Sequence, residues 1–560
     1  MNESEWTRVR REAAERMRRM SVDEKIGQLL CWDVSAPAWR AEPARIVEVA
    51  RRYHLGSLFL FGWKAAEIGA LIAELDRHMP LPALIASDLE HGAGPAISDG
   101  LEFPFQMALG AADDETLAET MGRATARQGA AAGVQWTFSP VADIQFNPAN
   151  PVVNVRSLGE EPARVARLAA ALIRGMQRDN LMAATAKHFP GDGVDDRDQH
   201  MCTSVNSFSR ARWRRTFGRV WRRVIREDVM SIMVGHIALP FADRGEKYIG
   251  GIPSTLSRAV QIDLLKGELG FRGCVVSDAL PMVGLSAHVR SNELAVSNIA
   301  AGSDVALFCE PERDVNAIRQ ALDAGVISDE RMHDACLRVL MMKARLGSLA
   351  ARRAVAPVTP DEIAEFQAAS RAIADKSATL ARDVTGTLPL RLKPGGRVLT
   401  ITLQYDNNSN GLGQDQNERY RELPHIDEAL RARGLVVEHA HNDTRLARSG
   451  TYDAVFVNIK IVPHCLGGTV RMVGPLAWLF WNSFIPETRN LVITAFGNPY
   501  LTHEIPNAPT LLRMFDYSAD AQRAAVATWL GENPIRPRSP ARSRRGPVER
   551  KRTSNRRKIR

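Results

Sequence analysis

Short apolar runs alternate with longer amphipathic stretches through the first two thirds of the chain. The runs Gly56–Phe61, Ala83–Ala86, Gln135–Phe138, Met182–Ala186, Ser231–Val234, Cys274–Val276 and Val305–Phe308 predict buried strands. Between them, Glu115–Ala132, Pro162–Arg178 and Arg210–Glu227 repeat apolar residues at helical spacing. This rhythm predicts parallel strands joined by helices, a TIM-type (β/α)8-like barrel. Polar residues follow one candidate strand after another: Asp88 and Glu90, Asp143 and Arg156, Lys187 and His188, His236, and Asp278. They gather on one rim, the carboxyl end of the strands, where such barrels hold their chemistry.

The pattern breaks near Ala350–Pro360, where two arginines and two prolines mark a linker. An amphipathic stretch, Glu362–Arg382, leads to further apolar runs at Arg397–Thr402, Leu435–Glu438, Ala454–Val457 and Leu491–Ala495. These predict an open α/β sheet layered by helices. The expected organisation is a barrel domain over 1–350, a linker and connecting helix over 351–380, an α/β sandwich domain over 381–533, and a disordered tail over 534–560. No internal repeat is visible.

Composition changes this picture in one place. The net charge of +9 suggests nucleic acid until it is located: residues 535–560 hold twelve Lys or Arg and one Glu, which leaves the remainder at −2. The basic balance belongs to a Pro/Ser/Arg-rich tail too poor in apolar residues to pack. Weak attraction to anionic polymers and an incidental extension are both open readings of it; nucleic-acid binding by the folded part is not expected. Six scattered cysteines without C-x-x-C pairs read as reduced packing residues and suggest a cytoplasmic protein. The amino terminus lacks the apolar core of a secretory signal, and no apolar run approaches the roughly 20 residues of a membrane span.

The candidate chemistry concentrates in Lys187-His188-Phe189-Pro190-Gly191-Asp192-Gly193-Val194-Asp195-Asp196-Arg197-Asp198-Gln199-His200. So polar a segment does not suit a core, and it reads as a loop after a strand. Asp198 and His200 stand two apart, so their side chains can meet on one side of an extended segment. A carboxylate on one imidazole nitrogen leaves the other to move a proton near neutral pH. A lone D-x-H is more often a solvated loop with a satisfied histidine. Metal binding is not expected, because the spacing of companion ligands is missing.

The whole string resembles the K-H-F-P-G-x-G…D-x-H signature of glycoside hydrolase family 3, in its β-N-acetylglucosaminidase branch. Further matches follow in order: Glu24-Lys25-Ile26-Gly27-Gln28-Leu29, Asp88-Leu89-Glu90, Phe103-Pro104, Arg156-Ser157-Leu158-Gly159, Pro253-Ser254-Thr255-Leu256-Ser257 and Val276-Ser277-Asp278. The resemblance covers roughly residues 20 to 533. It implies Asp278 as nucleophile, His200 with Asp198 as the acid/base dyad, and Asp88, Arg156, Lys187 and His188 as contacts to the sugar. Two positions depart from the pattern: Asp192 replaces the histidine of P-G-H-G, and Glu90-His91-Gly92-Ala93-Gly94 lacks the arginine of E-G-G-R-V.

The resemblance implies a retaining, exo-acting β-N-acetylglucosaminidase acting on small GlcNAc-containing saccharides, without cofactor. A phosphorylase of the same sugars, using inorganic phosphate, is the rival within enzymes. A non-catalytic sugar-binding protein is the rival from another class; the joint presence of Asp198, His200 and Asp278 speaks against it.

Overall fold

The computed structural model describes residues 3–244, 251–404, 423–445, 447, 450–461, 471–472, 485, 488–535 and 539–541. The chain divides into two compact units, the first running to Ala374 and the second beginning at Asp375.

In the first unit the strands are β1 (Leu30–Asp33), β2 (Ser57–Phe59), β3 (Leu84–Ser87), β4 (Trp136–Thr137), β5 (Ala183–Phe189), β6 (Ser204–Val205), β7 (Ser231–Val234), β8 (Ile237–Ala238), β9 (Cys274–Ser277) and β10 (Ala306–Leu307). Eight of them form one sheet in the order β10-β1-β2-β3-β4-β5-β7-β9, paired in parallel throughout. A parallel bridge from Val276 to Val305 brings the last strand round to the first, so the sheet is a nearly closed TIM-like barrel. β6 and β8 pair separately. Side chains fill the interior: Cys31, Phe59, Leu84, Trp136, Phe138 and Val276 belong to one buried cluster.

All seven predicted strands are present; β6 and β8 are added outside the barrel sheet, and within it the addition is β1. It runs on almost directly from the helix Val22–Gln28, so no turn residue separates its short apolar run from the helix before it. The predicted helix Arg210–Glu227 is two helices, Arg210–Arg215 and Phe217–Arg226. They break at Thr216, whose φ of −107° and ψ of −95° are not helical. The break serves the site: Nε1 of Trp213 and of Trp221 both donate to the Pro190 carbonyl, at 2.9 and 3.1 Å. Phe217 packs against Gly191, whose φ of +125° and lack of Cβ permit the contact.

The second unit holds a six-stranded sheet in the order β11-β16-β15-β14-β12-β13. Its strands are β11 (Thr379–Asp383), β12 (Arg397–Gln404), β13 (Val436–His441), β14 (Ala454–Ile461), β15 (Leu491–Gly497) and β16 (Thr510–Arg513). β11 runs antiparallel to β16 and the other pairs are parallel. The expected helix to Arg382 stops at Ser377, because the residues from Thr379 pair with β16 instead. Most of the predicted tail lies outside the described residues. Ser539–Ala541 are described, and Arg513 Nη1 donates to the carbonyl of the buried Ala541 at 2.9 Å, so this part of the segment is packed. Among the described residues no helix is long and apolar enough to cross a membrane.

Candidate active site

β5 positions two consecutive polar side chains. Lys187 and His188 belong to the strand and are 3 % and 4 % exposed, not on the loop that their polarity predicts. The pairing of β5 with β7 slips between Ala186 and Phe189. Such an irregularity relaxes strict alternation of faces and re-aims side chains. Asp192, Asp198 and Gln199 are buried as well, because the polar groups of this segment satisfy one another and their neighbours.

Lys187 reaches one rim cluster. Its Nζ lies 2.7 Å from Asp88 Oδ1, directly after β3, and 2.7 Å from Glu90 Oε1. Arg156 forks onto the same carboxylate, Nε to Oε2 at 2.9 Å and Nη2 to Oε1 at 2.6 Å, and Nη1 donates to the Val152 carbonyl at 3.0 Å. Burial opposes charge on Glu90, but Arg156 and Lys187 outweigh it and hold the carboxyl well below its usual range. Burial likewise opposes charge on Lys187, and Asp88 and Glu90 outweigh it, so the ammonium is held up. Ala93, where the resembling pattern has arginine, is fully buried.

His188 belongs to a second cluster. Its Nδ1 lies 2.7 Å from Asp143 Oδ2, and its backbone N–H donates to the same oxygen at 3.2 Å. The bond from Nδ1 fixes the tautomer and leaves Nε2 turned toward Asp278, 3.9 Å from Oδ2.

Asp278 follows β9 directly. Its N–H donates to Val234 O at 2.8 Å, and its Oδ1 accepts from Ala279 N at 2.9 Å. Burial alone would raise this carboxyl; His188, His236 and His200 outweigh it and keep it below the usual range. His236 is a support. It takes Gln199 Oε1 on its backbone N–H at 2.9 Å, bonds Thr255 Oγ1 through Nδ1 at 2.9 Å, and donates from Nε2 to the Ala279 carbonyl at 2.9 Å. Burial depresses its pKa, and Asp278 opposes that shift.

Asp198 Oδ1 accepts from both Nδ1 and N of His200, at 2.6 and 2.8 Å. The loop that carries them is docked. Val283 N donates to His200 O at 3.1 Å and Gly284 N to Gln199 O at 3.2 Å, which ties the pair to the segment following Asp278. A Cβ on Gly284 would lie 2.4 Å from Gln199 O, so the close approach requires glycine. The seven candidate residues thus fall into three groups: Asp88, Arg156 and Lys187 around Glu90, His188 beside Asp278, and Asp198 with His200. Glu90 and Asp143 join them as the carboxylates that hold the cations and the imidazole in place. Their signal in the sequence was a carboxylate close after a buried strand. Among the described residues, no group of three or more His, Cys, Asp or Glu could hold a metal ion.

The family model described as Glycosyl hydrolase family 3 N terminal domain matches residues 21–342, more than half of the chain. The chain belongs to glycoside hydrolase family 3. It is 32 % identical over 545 residues to a β-N-acetylglucosaminidase/β-glucosidase of Cellulomonas fimi, covering 93 % of each chain. It is also 32 % identical over 251 residues to a β-hexosaminidase of Nitrosomonas eutropha, covering 44 % of this chain and 70 % of that one. Among solved structures, a β-glucoside phosphorylase, BglX, bound to 2FGlc superposes with a TM-score of 0.83 at 28 % identity over 97 % of both chains. A family 3 β-N-acetylglucosaminidase from Paenibacillus sp. str. FPU-7 gives 0.78 at 26 % identity over 93 % of this chain and 99 % of that one. The family 3 chain is accordingly a glycoside hydrolase, similar to hexosaminidases and β-N-acetylglucosaminidases, with its matched region spanning the barrel and every candidate residue.

Proposed function

We propose that the protein is a retaining, exo-acting β-N-acetylglucosaminidase that removes terminal GlcNAc from small peptidoglycan- or chitin-derived saccharides. The observation that carries this reading is Asp278: a buried carboxylate at the barrel mouth, held below the usual carboxyl range, with His188 Nε2 3.9 Å from one oxygen. Asp278 attacks the anomeric carbon as the glycosidic bond breaks through an oxocarbenium-like transition state. His200, oriented by Asp198, gives a proton to the departing oxygen; it then takes one from water as the glycosyl–Asp278 ester is cleaved. Lys187, His188, Arg156 and Asp88 hold the sugar hydroxyls. Lys187 and Arg156 are engaged by Asp88 and Glu90, so substrate hydroxyls share these groups. Free thiols at Cys31, Cys202, Cys274, Cys309 and Cys336 support a cytoplasmic setting.

The test is turnover of a nitrophenyl GlcNAc together with labelling by an activated fluoro-sugar. The expected result is hydrolysis and a covalent adduct on Asp278; an adduct on another carboxylate overturns the assignment. A second reading, phosphorolysis, is favoured by the solved β-glucoside phosphorylase that matches end to end. An imidazole acid/base does not repel phosphate as a carboxylate would, a difference of about 4 kcal/mol for like charges about 4 Å apart at an effective dielectric near 20. Formation of the sugar 1-phosphate in millimolar phosphate would support this reading, and its absence would remove it.

A further inference from the structure

Asp192 lies behind His188, and the chemistry above makes no use of it. Its backbone N–H donates to Asp143 Oδ1 at 2.7 Å, while its own Oδ1 accepts from Asn150 Nδ2 at 3.0 Å and Gly193 N at 2.6 Å. Its Oδ2 is buried without a hydrogen-bond partner among the described residues. Asp143 differs: Oδ1 accepts from Asp192 N, and Oδ2 accepts from the backbone N–H and Nδ1 of His188. Two buried carboxylates this close do not both hold a charge cheaply. Asp143 has N–H donors on both oxygens and is the anion. Asp192, with one oxygen unsatisfied, takes the proton; burial first and Asp143 second push its carboxyl up to about 7.

Asp143 faces Asp192 from the segment after β4 and His188 faces it from β5. The helix Phe217–Arg226 presents the apolar ring of Phe217 against Gly191. Beyond His188 stand Asp278 after β9, His236 after β7 and His200 on the loop.

We propose that Asp192 is a positioning residue for His188: by holding a proton it leaves Asp143 the single anion behind the imidazole, and its ionisation sets a second negative charge beside the carboxylate that holds Nδ1. That charge repels Asp143, loosens its hold on Nδ1 and turns Nε2 away from its place 3.9 Å from Asp278 Oδ2. Glycosylation of the enzyme therefore slows as Asp192 ionises. The inference rests on Asp278 being the nucleophile.

The test compares the parent enzyme with Asp192→Asn, using kcat/KM for a 2,4-dinitrophenyl GlcNAc between pH 5 and 9. This leaving group needs no proton, so His200 drops out of the profile. The parent should lose activity through a pH of about 7, falling by about tenfold or more. The alkaline limb of Asp192→Asn should move up by about a pH unit or more. Superimposable limbs would overturn the inference. Thermal denaturation of both proteins from pH 5 to 8 gives a second reading that needs no activity. In that window folded Asp192 keeps a proton that the unfolded chain has released, so its contribution to stability falls as pH rises toward 7. The parent should lose stability relative to Asp192→Asn over that range, and a pH-independent difference would equally overturn the inference. If Asp278 is not the nucleophile, the fluoro-sugar leaves Asp278 unlabelled while the denaturation result stands, so the two failures are told apart.

Discussion

Two Asp–His pairs lie near Asp278, made from the same bond and suited to different tasks. In one, His188 Nδ1 meets Asp143 Oδ2 at 2.7 Å, with side chains 5 % and 0 % exposed. In the other, His200 Nδ1 meets Asp198 Oδ1 at 2.6 Å, with side chains 23 % and 5 % exposed. His188 is fixed by a barrel strand and by a carboxylate 45 residues away, so it suits holding and charge tuning. His200 sits on a docked loop beside its own carboxylate, with a ring open enough to exchange protons with a leaving group or water. On the proposed reading, burial and anchoring, not the hydrogen bond itself, separate a positioning histidine from a proton carrier.

Asp143→Asn should do the greatest damage. It turns one of the two oxygens that three N–H groups share into a donor, releases the tautomer of His188 or disturbs the segment at Asp192. The expected loss in kcat/KM is on the order of 100-fold or more, alike for good and poor leaving groups. Steady-state kinetics on dinitrophenyl and alkyl glycosides checks it. A loss confined to poor leaving groups would assign proton transfer to the wrong pair.

Gly284→Ala acts on the other pair and more gently. Its Cβ would lie 2.4 Å from Gln199 O and 3.0 Å from Cys202 O, so the loop holding His200 must shift. Turnover of poor leaving groups should fall by about tenfold to 100-fold, while dinitrophenyl cleavage by Asp278 is largely kept. Equal losses on both substrates would mean that the shift reaches Asp278 as well.

The smallest effect tests the same contrast in lysines. Lys187 is buried against two carboxylates; Lys343 donates to the neutral Gln28 Oε1 at 2.6 Å and Pro82 O at 2.8 Å. Burial first and Arg352 second push Lys343 down to about 7, against an ordinary 10.5. Between these values the unfolded chain binds the proton that folded Lys343 lacks, so this group makes stability climb with pH by at most about 1.4 kcal/mol per unit. Lys343→Met should flatten that climb in denaturant midpoints from pH 7 to 9. An unchanged climb would show that Lys343 stays charged.

The barrel was legible because its strands are short apolar runs bounded by polar ones. β1 was not, because nothing separates it from the helix before it. The positions of Asp88, Arg156 and Asp278 could be read from strand ends, and Asp198–His200 from a spacing of two. That Lys187 and His188 lie inside β5 could not be read, since their burial depends on a slipped register and on Glu90, Asp88 and Asp143 arriving from other strands. Asp192 read only as a loop residue that departs from the P-G-H-G pattern, for the same reason: only the fold puts Asp143 beside it. The halves of the predicted helix Arg210–Glu227 part at Thr216, where two tryptophans converge on Pro190, a contact that no local pattern encodes.

The most direct test of the division of labour is a leaving-group series on His200→Ala and His188→Ala, run with aryl GlcNAc substrates from dinitrophenyl to phenyl, with and without azide. Expected for His200→Ala is a steep dependence on leaving-group acidity, with azide raising turnover of the best substrates and appearing as the β-glycosyl azide. Expected for His188→Ala is a parallel loss across the series, without azide rescue. A flat series in His200→Ala, or a steep and azide-rescued one in His188→Ala, would contradict the assignment of the proton to His200.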